Sequence, residues 1–361
     1  MGTEQMRERR SNRARRATVA MVAGSLVAMA APAAAQVPPA RDITEFACPP
    51  TEVPSSGFGD VPPANVHARA IDCVAWYEVT GGTTAATYSP ADPVTRDQMA
   101  TFIVRVIDYV AARTPSESDG LPGAPSANAF PCDVSDQDLH YDSIQRLAAA
   151  GVVKGVGDNA LGQACFAPGE RVDRAQMATF IAESQRLLGQ DVPGSEADFF
   201  VDDDGSVHED SIDAITAEGI TRGEGVDGEG NAVYDPGGNV SRDQMASFLA
   251  RKLDRLVEMT VAQPPPTATV DPISATVPGG GTFEATVTAS RGTIEDVTVT
   301  GCSISPPQVF QVANPAGAAS VPIDVVIPAG QGGTSCRLDI VTTFVGGGRD
   351  TSSAIISITP S

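Results

Sequence analysis

The nine residues Val94-Thr95-Arg96-Asp97-Gln98-Met99-Ala100-Thr101-Phe102 return as Val172-Asp173-Arg174-Ala175-Gln176-Met177-Ala178-Thr179-Phe180. They return again as Val240-Ser241-Arg242-Asp243-Gln244-Met245-Ala246-Ser247-Phe248. A segment written three times must meet one set of packing constraints three times, so the repeat limits the fold more than any single motif can. The copies reach upstream. His67, His140 and His208 each stand four residues before an isoleucine (Ile71, Ile144, Ile212), and Val79, Val152 or Ile220 follows eight residues later. An aromatic-x-Pro comes next, at Tyr88-Ser89-Pro90, Phe166-Ala167-Pro168 and Tyr234-Asp235-Pro236, each proline six residues before its arginine. Between Gly82 and Tyr88 the first copy is five residues shorter than the others, which marks a loop.

The repeated segment reads as a capped helix start. With Thr95 as N-cap, Gln98 falls at N3 of a capping box, and Val94 and Met99 form a hydrophobic staple. The same register holds for Asp173 with Gln176 and for Ser241 with Gln244. Met99, Phe102, Ile103 and Val106 then follow at helical spacing as a core-facing stripe. Upstream, Val66 to Tyr77, Leu139 to Ala150 and Val207 to Glu218 read as shorter helices, and Gly151 and Gly219 end two of them as C′ residues. Each unit is thus helix, extended turn, helix. One such pair cannot bury its apolar face alone, so the three are expected to pack around shared second helices.

Capping does not explain Arg96, Arg174 and Arg242. They occupy N1, where the positive end of the helix dipole disfavours a cation by up to about 1 kcal/mol. A guanidinium beside unpaired helix N–H groups would make an anion pocket for a carboxylate or phosphate. The alternative is a structural ion pair with an acidic residue of a neighbouring unit, such as Asp72 or Asp213.

The order Phe58-Gly59-Asp60-Val61, helix, Gly219-Ile220-Thr221-Arg222-Gly223, Tyr-x-Pro and Val-Thr-Arg-Asp-Gln resembles the S-layer homology domain, in three copies over about residues 57 to 258. The form is that of high-GC Gram-positive bacteria. The resemblance implies a pseudo-threefold assembly with a central bundle of second helices. It also implies grooves that hold a cell-wall polysaccharide, anionic or pyruvylated, through Arg96, Arg174 and Arg242. The chain departs from that family where its motif glutamate is Gln98, Gln176 or Gln244, where Asp173 replaces threonine, and where Val66, Leu139 and Val207 replace tryptophan.

The N-terminus carries six arginines between Arg7 and Arg16, an apolar run from Val19 to about Ala31, and Ala33-Ala34-Ala35 before Gln36. This is the pattern of a secretory signal peptide over residues 1–35. Taking those six arginines and two glutamates from a formal charge of −21 leaves −25, which repels nucleic acid and anionic lipid. No later segment reads as a membrane span. Six cysteines in an exported chain fit three disulfides, and proximity pairs Cys48 with Cys73, Cys132 with Cys165 and Cys302 with Cys336.

The three histidines could in principle meet around a metal, but peripheral positions on the first helices account for them, and no metal or cofactor is expected. Asp202-Asp203-Asp204-Gly205 and Asp227-Gly228-Glu229-Gly230-Asn231 resemble fragments of calcium loops without the full ligand spacing. No nucleophile elbow, phosphate loop or His-Glu-x-x-His is present, so no catalytic residue is nominated.

Past Gln263-Pro264-Pro265-Pro266-Thr267 the composition turns to Thr, Val, Ile, Gly and Ser. Thr282 to Ala289, Glu295 to Val299, Val321 to Ile327 and Ala354 to Ile358 read as short strands of an immunoglobulin-like sandwich. The expected organisation is an N-terminal extension (36–56), repeats at 57–113, 129–189 and 198–259, a linker (260–268) and an all-β domain (269–361). The expected fold is a mainly α three-repeat bundle followed by that sandwich. The expected role is that of an exported, non-catalytic cell-envelope protein bound to a wall glycan. The alternative is a secreted adhesin or assembly protein in which the repeats are scaffold and the sandwich binds the partner.

Overall fold

Among the described residues, segments with helical apolar spacing form six α-helices, and segments of alternating or β-branched residues form twelve strands. The computed structural model describes residues 36–113, 120–190, 192, 197–314, 316–329, 334–345 and 349–359. The leader expected at 1–35 lies outside them.

The helices are α1 (Ala68–Trp76), α2 (Arg96–Arg113), α3 (Tyr141–Ala149), α4 (Arg174–Leu187), α5 (Glu209–Ala217) and α6 (Arg242–Glu258). Each first helix starts just after its histidine, His67, His140 or His208, which occupies the N-cap without a side-chain capping bond. Two first helices stop where a glycine turns left-handed, Gly151 at φ 74° and Gly219 at φ 72°. In the first repeat Glu78 adopts that conformation instead, at φ 58°.

The expectation of a mainly α bundle built around shared second helices is corrected by the architecture. Among the described residues strands outnumber helices twelve to six, and the main helix pairs are α1 with α6, α2 with α3 and α4 with α5. Every one of these sets a first helix on the second helix of a neighbouring unit. What joins the units at the centre is extended chain. The Val94 amide donates to the Val240 carbonyl (2.9 Å), Val172 to Val94 (2.9 Å) and Val240 to Val172 (3.0 Å), closing a ring of three hydrogen bonds. Bridges Pro93 to Ser241, Thr95 to Arg171 and Asp173 to Asn239 surround it. These extended stretches are too short to show a period of two, whereas the helices beside them show 3.6 plainly, so the sequence overstated the helices.

The five extra residues of the second and third copies fold as hairpins, β1 (Gly157–Asp158) with β2 (Ala164–Cys165) and β3 (Gly225–Val226) with β4 (Ala232–Val233). The tip of the second is organised by Asp227, whose carboxylate accepts from the amides of Glu229 and Asn231.

The remaining strands are β5 (Ala268–Asp271), β6 (Ser274–Pro278), β7 (Thr282–Ala289), β8 (Ile294–Gly301), β9 (Gln308–Gln311), β10 (Ser320–Val326), β11 (Thr334–Phe344) and β12 (Arg349–Thr359). They make a three-stranded sheet, β10-β7-β5, and a five-stranded sheet, β6-β12-β11-β8-β9, in which only β12 and β6 run parallel. Phe283, Val287 and Ile323 of the first sheet and Val297, Val299, Leu338, Ile340 and Ile356 of the second bury one shared core, the packing of a sandwich.

The disulfides are Cys48–Cys73, Cys132–Cys165 and Cys302–Cys336. The first ties the N-terminal extension to α1. Asp254 of α6 reinforces it by accepting from the amides of Phe46 (3.0 Å) and Ala47 (2.9 Å).

Candidate functional site

The three arginines sit at helix starts, but those starts are not open. The Arg96 amide donates to the Glu170 carbonyl, Arg174 to Gly238 and Arg242 to Asp92, each at 2.9 Å. The next amides, of Asp97, Ala175 and Asp243, are taken by the carbonyls of Pro168, Pro236 and Pro90. Their caps are local. Asp173 accepts from the Gln176 amide at 2.7 Å, and Gln244 reaches back to the Ser241 amide at 3.2 Å. The Thr95 amide points to Gln98 at 3.5 Å, while the side chains of Thr95 and Ser241 both donate to the aspartate two residues on.

Each guanidinium crosses into the following unit. Its Nε donates to a carbonyl there: Arg96 to Phe166 (2.9 Å), Arg174 to Tyr234 (2.7 Å) and Arg242 to Tyr88 (2.8 Å). The planar group lies between that aromatic ring and a phenylalanine of the same unit, with Arg174 4.5 Å from the Tyr234 centroid and 5.7 Å from Phe248. Such stacking stabilises by about 0.5–2 kcal/mol. In two copies the tyrosine hydroxyl returns a bond to the arginine's own carbonyl, Tyr234 to Arg174 (3.0 Å) and Tyr88 to Arg242 (2.8 Å). These arginines therefore stitch the units together, which accounts for a cation at N1. Of the aspartates named as possible partners, Asp72 accepts from the Ser56 amide and Asp213 from the Phe199 amide, while the acidic residue that pairs with Arg174 across the units is Glu224. Burial pulls the guanidinium groups of Arg96 and Arg242 below their ordinary range, against the pull of nearby carboxylates.

Beside the stitches lie hollows. The one of about 210 Å³ is bordered by Arg96, Lys154, Gln176, Thr179, Glu183 and His208. A larger one, about 530 Å³, is bordered by Arg174, Arg222, Glu224, Ser247, Arg251 and His67. The two match position by position, so each hollow draws on all three units. A first-repeat glycine, Gly81, corresponds to Lys154 and Arg222, and Arg105 corresponds to Glu183 and Arg251. The wall beside each is a glycine that cannot change: at Gly82, Gly155 and Gly223 a Cβ would strike a backbone oxygen and the ring of Phe58, Phe130 or Phe200.

The larger hollow concentrates positive charge. Arg251 donates to the Ile220 carbonyl at 3.1 Å, and its guanidinium is pulled down by burial and then by Arg222. Arg174 pairs with Glu224 at 2.5 Å, yet its buried Nη2 has no hydrogen-bond partner. In the smaller hollow the place of Arg251 is taken by Glu183, itself paired with Arg186.

The histidines are kept apart rather than gathered. Each Nδ1 bonds a hydroxyl on the neighbouring unit's second helix: His67 with Ser247 (2.8 Å), His140 with Thr101 (2.7 Å) and His208 with Thr179 (2.8 Å). Burial lowers the His208 pKa. Immediately before each histidine stands an aliphatic residue left in water, Val66, Leu139 and Val207, about nine-tenths exposed. Sequence reasoning missed Lys154, Arg222, Arg251 and the histidines as groove residues. The available signal was the change of charge at matched positions of the repeats.

Among known proteins, the S-layer homology domain family matches residues 135–178. An S-layer protein of Bacillus thuringiensis subsp. finitimus is 33% identical over 143 residues, 39% of this chain. An endoglucanase of Bacillus sp. (strain KSM-635) is 27% identical over 176 residues, 49% of this chain. The matched region spans 16% of the length of each relative. Among solved structures, the N-terminal four Ig domains of Dscam1 isoform 6.9 align with 27% of this chain and 21% of theirs, at 13% identity and a TM-score of 0.17.

Proposed function

We propose that this chain, an S-layer homology domain protein, is held at the cell surface by an anionic wall polysaccharide seated in the grooves between its repeats, with the two-sheet region displayed. The observation that carries this reading is the gathering of Arg174, Arg222 and Arg251 around one hollow in a chain of formal charge −21. Like charges brought together at a partly buried site raise the energy of the free protein, and an anionic ligand relieves it. The exposed aliphatic residues Val66 and Val207, each next to a histidine that lines a hollow, suit the apolar face of a sugar ring.

The grooves differ in what they favour. An acidic group of the polymer belongs in the larger hollow, against Arg222 and Arg251. The smaller one, with Glu183 opposite Lys154, suits a neutral residue. Arg96, Arg174 and Arg242 form the floor and reach the ligand through guanidinium edges, not through helix starts. The proposed role is non-catalytic, with residues 57–259 anchoring and 269–361 displayed. No described helix is long and apolar enough to cross a membrane. Export through a leader at 1–35 predicts a secreted protein whose N-terminal sequence begins at Gln36.

Retention on purified wall sacculi, with and without the non-peptidoglycan polymer, tests the reading. The double substitution Arg222→Ala/Arg251→Ala should weaken retention by about tenfold or more, the loss of roughly 1.4 kcal/mol or more of charge-assisted contact, with thermal unfolding little changed. Lys154→Ala should do far less. Equal retention of all three proteins, or retention on walls stripped of the polymer, would overturn it. Hydrolysis of a soluble cellulose derivative by the full chain would overturn the non-catalytic role.

A further inference from the structure

The most cationic groove also holds a carboxylate that its counterparts lack. The residue after the groove-wall glycines Gly82, Gly155 and Gly223 is Thr83, Val156 and, in the third copy, Glu224. Val156 is exposed and uncharged, and the arginine that enters its unit, Arg96, donates instead to the Gln176 side chain at 3.4 Å. Glu224 lines the larger hollow with Arg174, Arg222 and Arg251, and its Oε1 lies 2.5 Å from Arg174 Nη1.

This ion pair is incomplete. The Arg174 Nε is committed to the Tyr234 carbonyl, and its Nη2 is buried with no hydrogen-bond partner. A buried guanidinium with an unsatisfied donor raises the energy of the free protein, because nothing replaces the hydration it has lost. The partner that completes it is an anion accepting from Nη1 and Nη2 together, the paired geometry that guanidinium favours. The two partners are also unequally held: the Arg174 side chain is 5% exposed and that of Glu224 43%. The main chain of Glu224 is fixed, its amide donating to the Val233 carbonyl at 2.9 Å, while its carboxylate lies partly in water and can rotate away.

We propose that Glu224 is an internal competitor for the larger groove, covering Arg174 in the free protein and displaced by the anionic group of the bound polymer. This rests on the reading of that groove as the wall-polymer site. The displaced carboxylate turns to water, and Arg174 joins Arg222 and Arg251 in facing the ligand. The exchange also sets selectivity. A neutral sugar that moved Glu224 aside would leave a buried guanidinium without a counter-charge, so only a charged polymer can take its place. The smaller groove, with Val156 at this position, imposes no such condition.

The test is retention of the full chain on purified sacculi that carry the polymer, titrated to half-saturation. Glu224→Gln keeps the shape and removes the charge, so it should tighten binding about threefold, the scale of a partly exposed ion pair. Its Tm should move by no more than about 2 °C. Glu229→Gln removes the same charge at an exposed position of the same hairpin and should change retention far less, while Arg222→Ala/Arg251→Ala should still weaken it. If Glu224→Gln binds no better than the native chain while the double arginine variant loses retention, Glu224 is a fixed counter-charge of Arg174, and this inference falls with the wall reading intact. An equal gain in Glu229→Gln would assign the effect to net charge and overturn it too. A native chain indifferent to the polymer would overturn both.

Discussion

Lys252 is wholly buried in α6, its amine donating to the Ile181 carbonyl at 3.2 Å and touching the Ser184 hydroxyl. Burial outweighs the attraction of Glu218 and lowers its pKa from 10.5 to about 7. The unfolded chain takes up this proton as pH falls below about 10.5, the folded chain only near 7. Stability should therefore decline as pH falls from 10 to 7 and level off below that. The penalty carried at neutral pH is several kcal/mol at most. Lys252→Met should flatten this slope in urea titrations at pH 7 to 9.5 and raise the midpoint at pH 7; an unchanged slope would show that the amine does not titrate there. Glu78 offers a second residue-scale test, since it is exposed and holds the left-handed turn that Gly151 and Gly219 make in the other copies. Glu78→Gly should stabilise by up to about 1 kcal/mol in denaturant titrations. Neither feature shows in a linear reading. Aligning the copies finds both, because Val106, Ser184 and Lys252 share one position and Glu78, Gly151 and Gly219 another.

Among elements, the helix starts were the most legible part of the chain, because a capping residue, a glutamine three residues later and a staple are local signals. Asp173 and Gln244 make the backbone contacts that their positions imply. The sandwich was legible only in part. Strands β7, β8, β10 and β12 overlap the segments read from sequence, whereas β11, the long partner between β8 and β12, was overlooked. Its buried Leu338, Ile340, Thr342 and Phe344 do alternate, but Thr342 and the charged Arg337 and Asp339 diluted the apolar pattern. The groove wall could not be read at all, since Gly151 and Gly155 look alike in sequence. They share a left-handed backbone, φ 74° and 77°, yet a Cβ on Gly151 meets nothing, while one on Gly155 meets the Cys165 carbonyl and the Phe130 ring. Gly151→Ala should cost about 1 kcal/mol and Gly155→Ala more than about 3 kcal/mol, because only the second adds a clash to the strain. Equal losses in thermal unfolding would mean that the ring and hairpin can move aside.

For the whole molecule, the closed circuit of contacts decides how the repeats depend on one another. In an open array each unit leans only on its sequence neighbours, so removing the last leaves the first intact. Here the first repeat leans on the third. Helix α1 packs on α6, Val94 bonds Val240, Arg242 and Tyr88 bond each other across 154 positions of sequence, and Asp254 holds the N-terminal extension. Such distant contacts are invisible in any one copy of the repeat; they follow from the stitch residues only once each arginine is known to cross into the next unit. A chain shortened to residues 36–190 keeps two complete repeats but lacks α5, α6 and Asp254. Its α1 and α4 then lose the helices they cover, and the Arg174 guanidinium loses both the Tyr234 carbonyl and its ring. This fragment should lack a cooperative melt by circular dichroism and be cleaved rapidly by protease, while residues 36–262 melt in a single transition. A cooperative two-repeat fragment would show that neighbouring units suffice and that closing the circuit adds little.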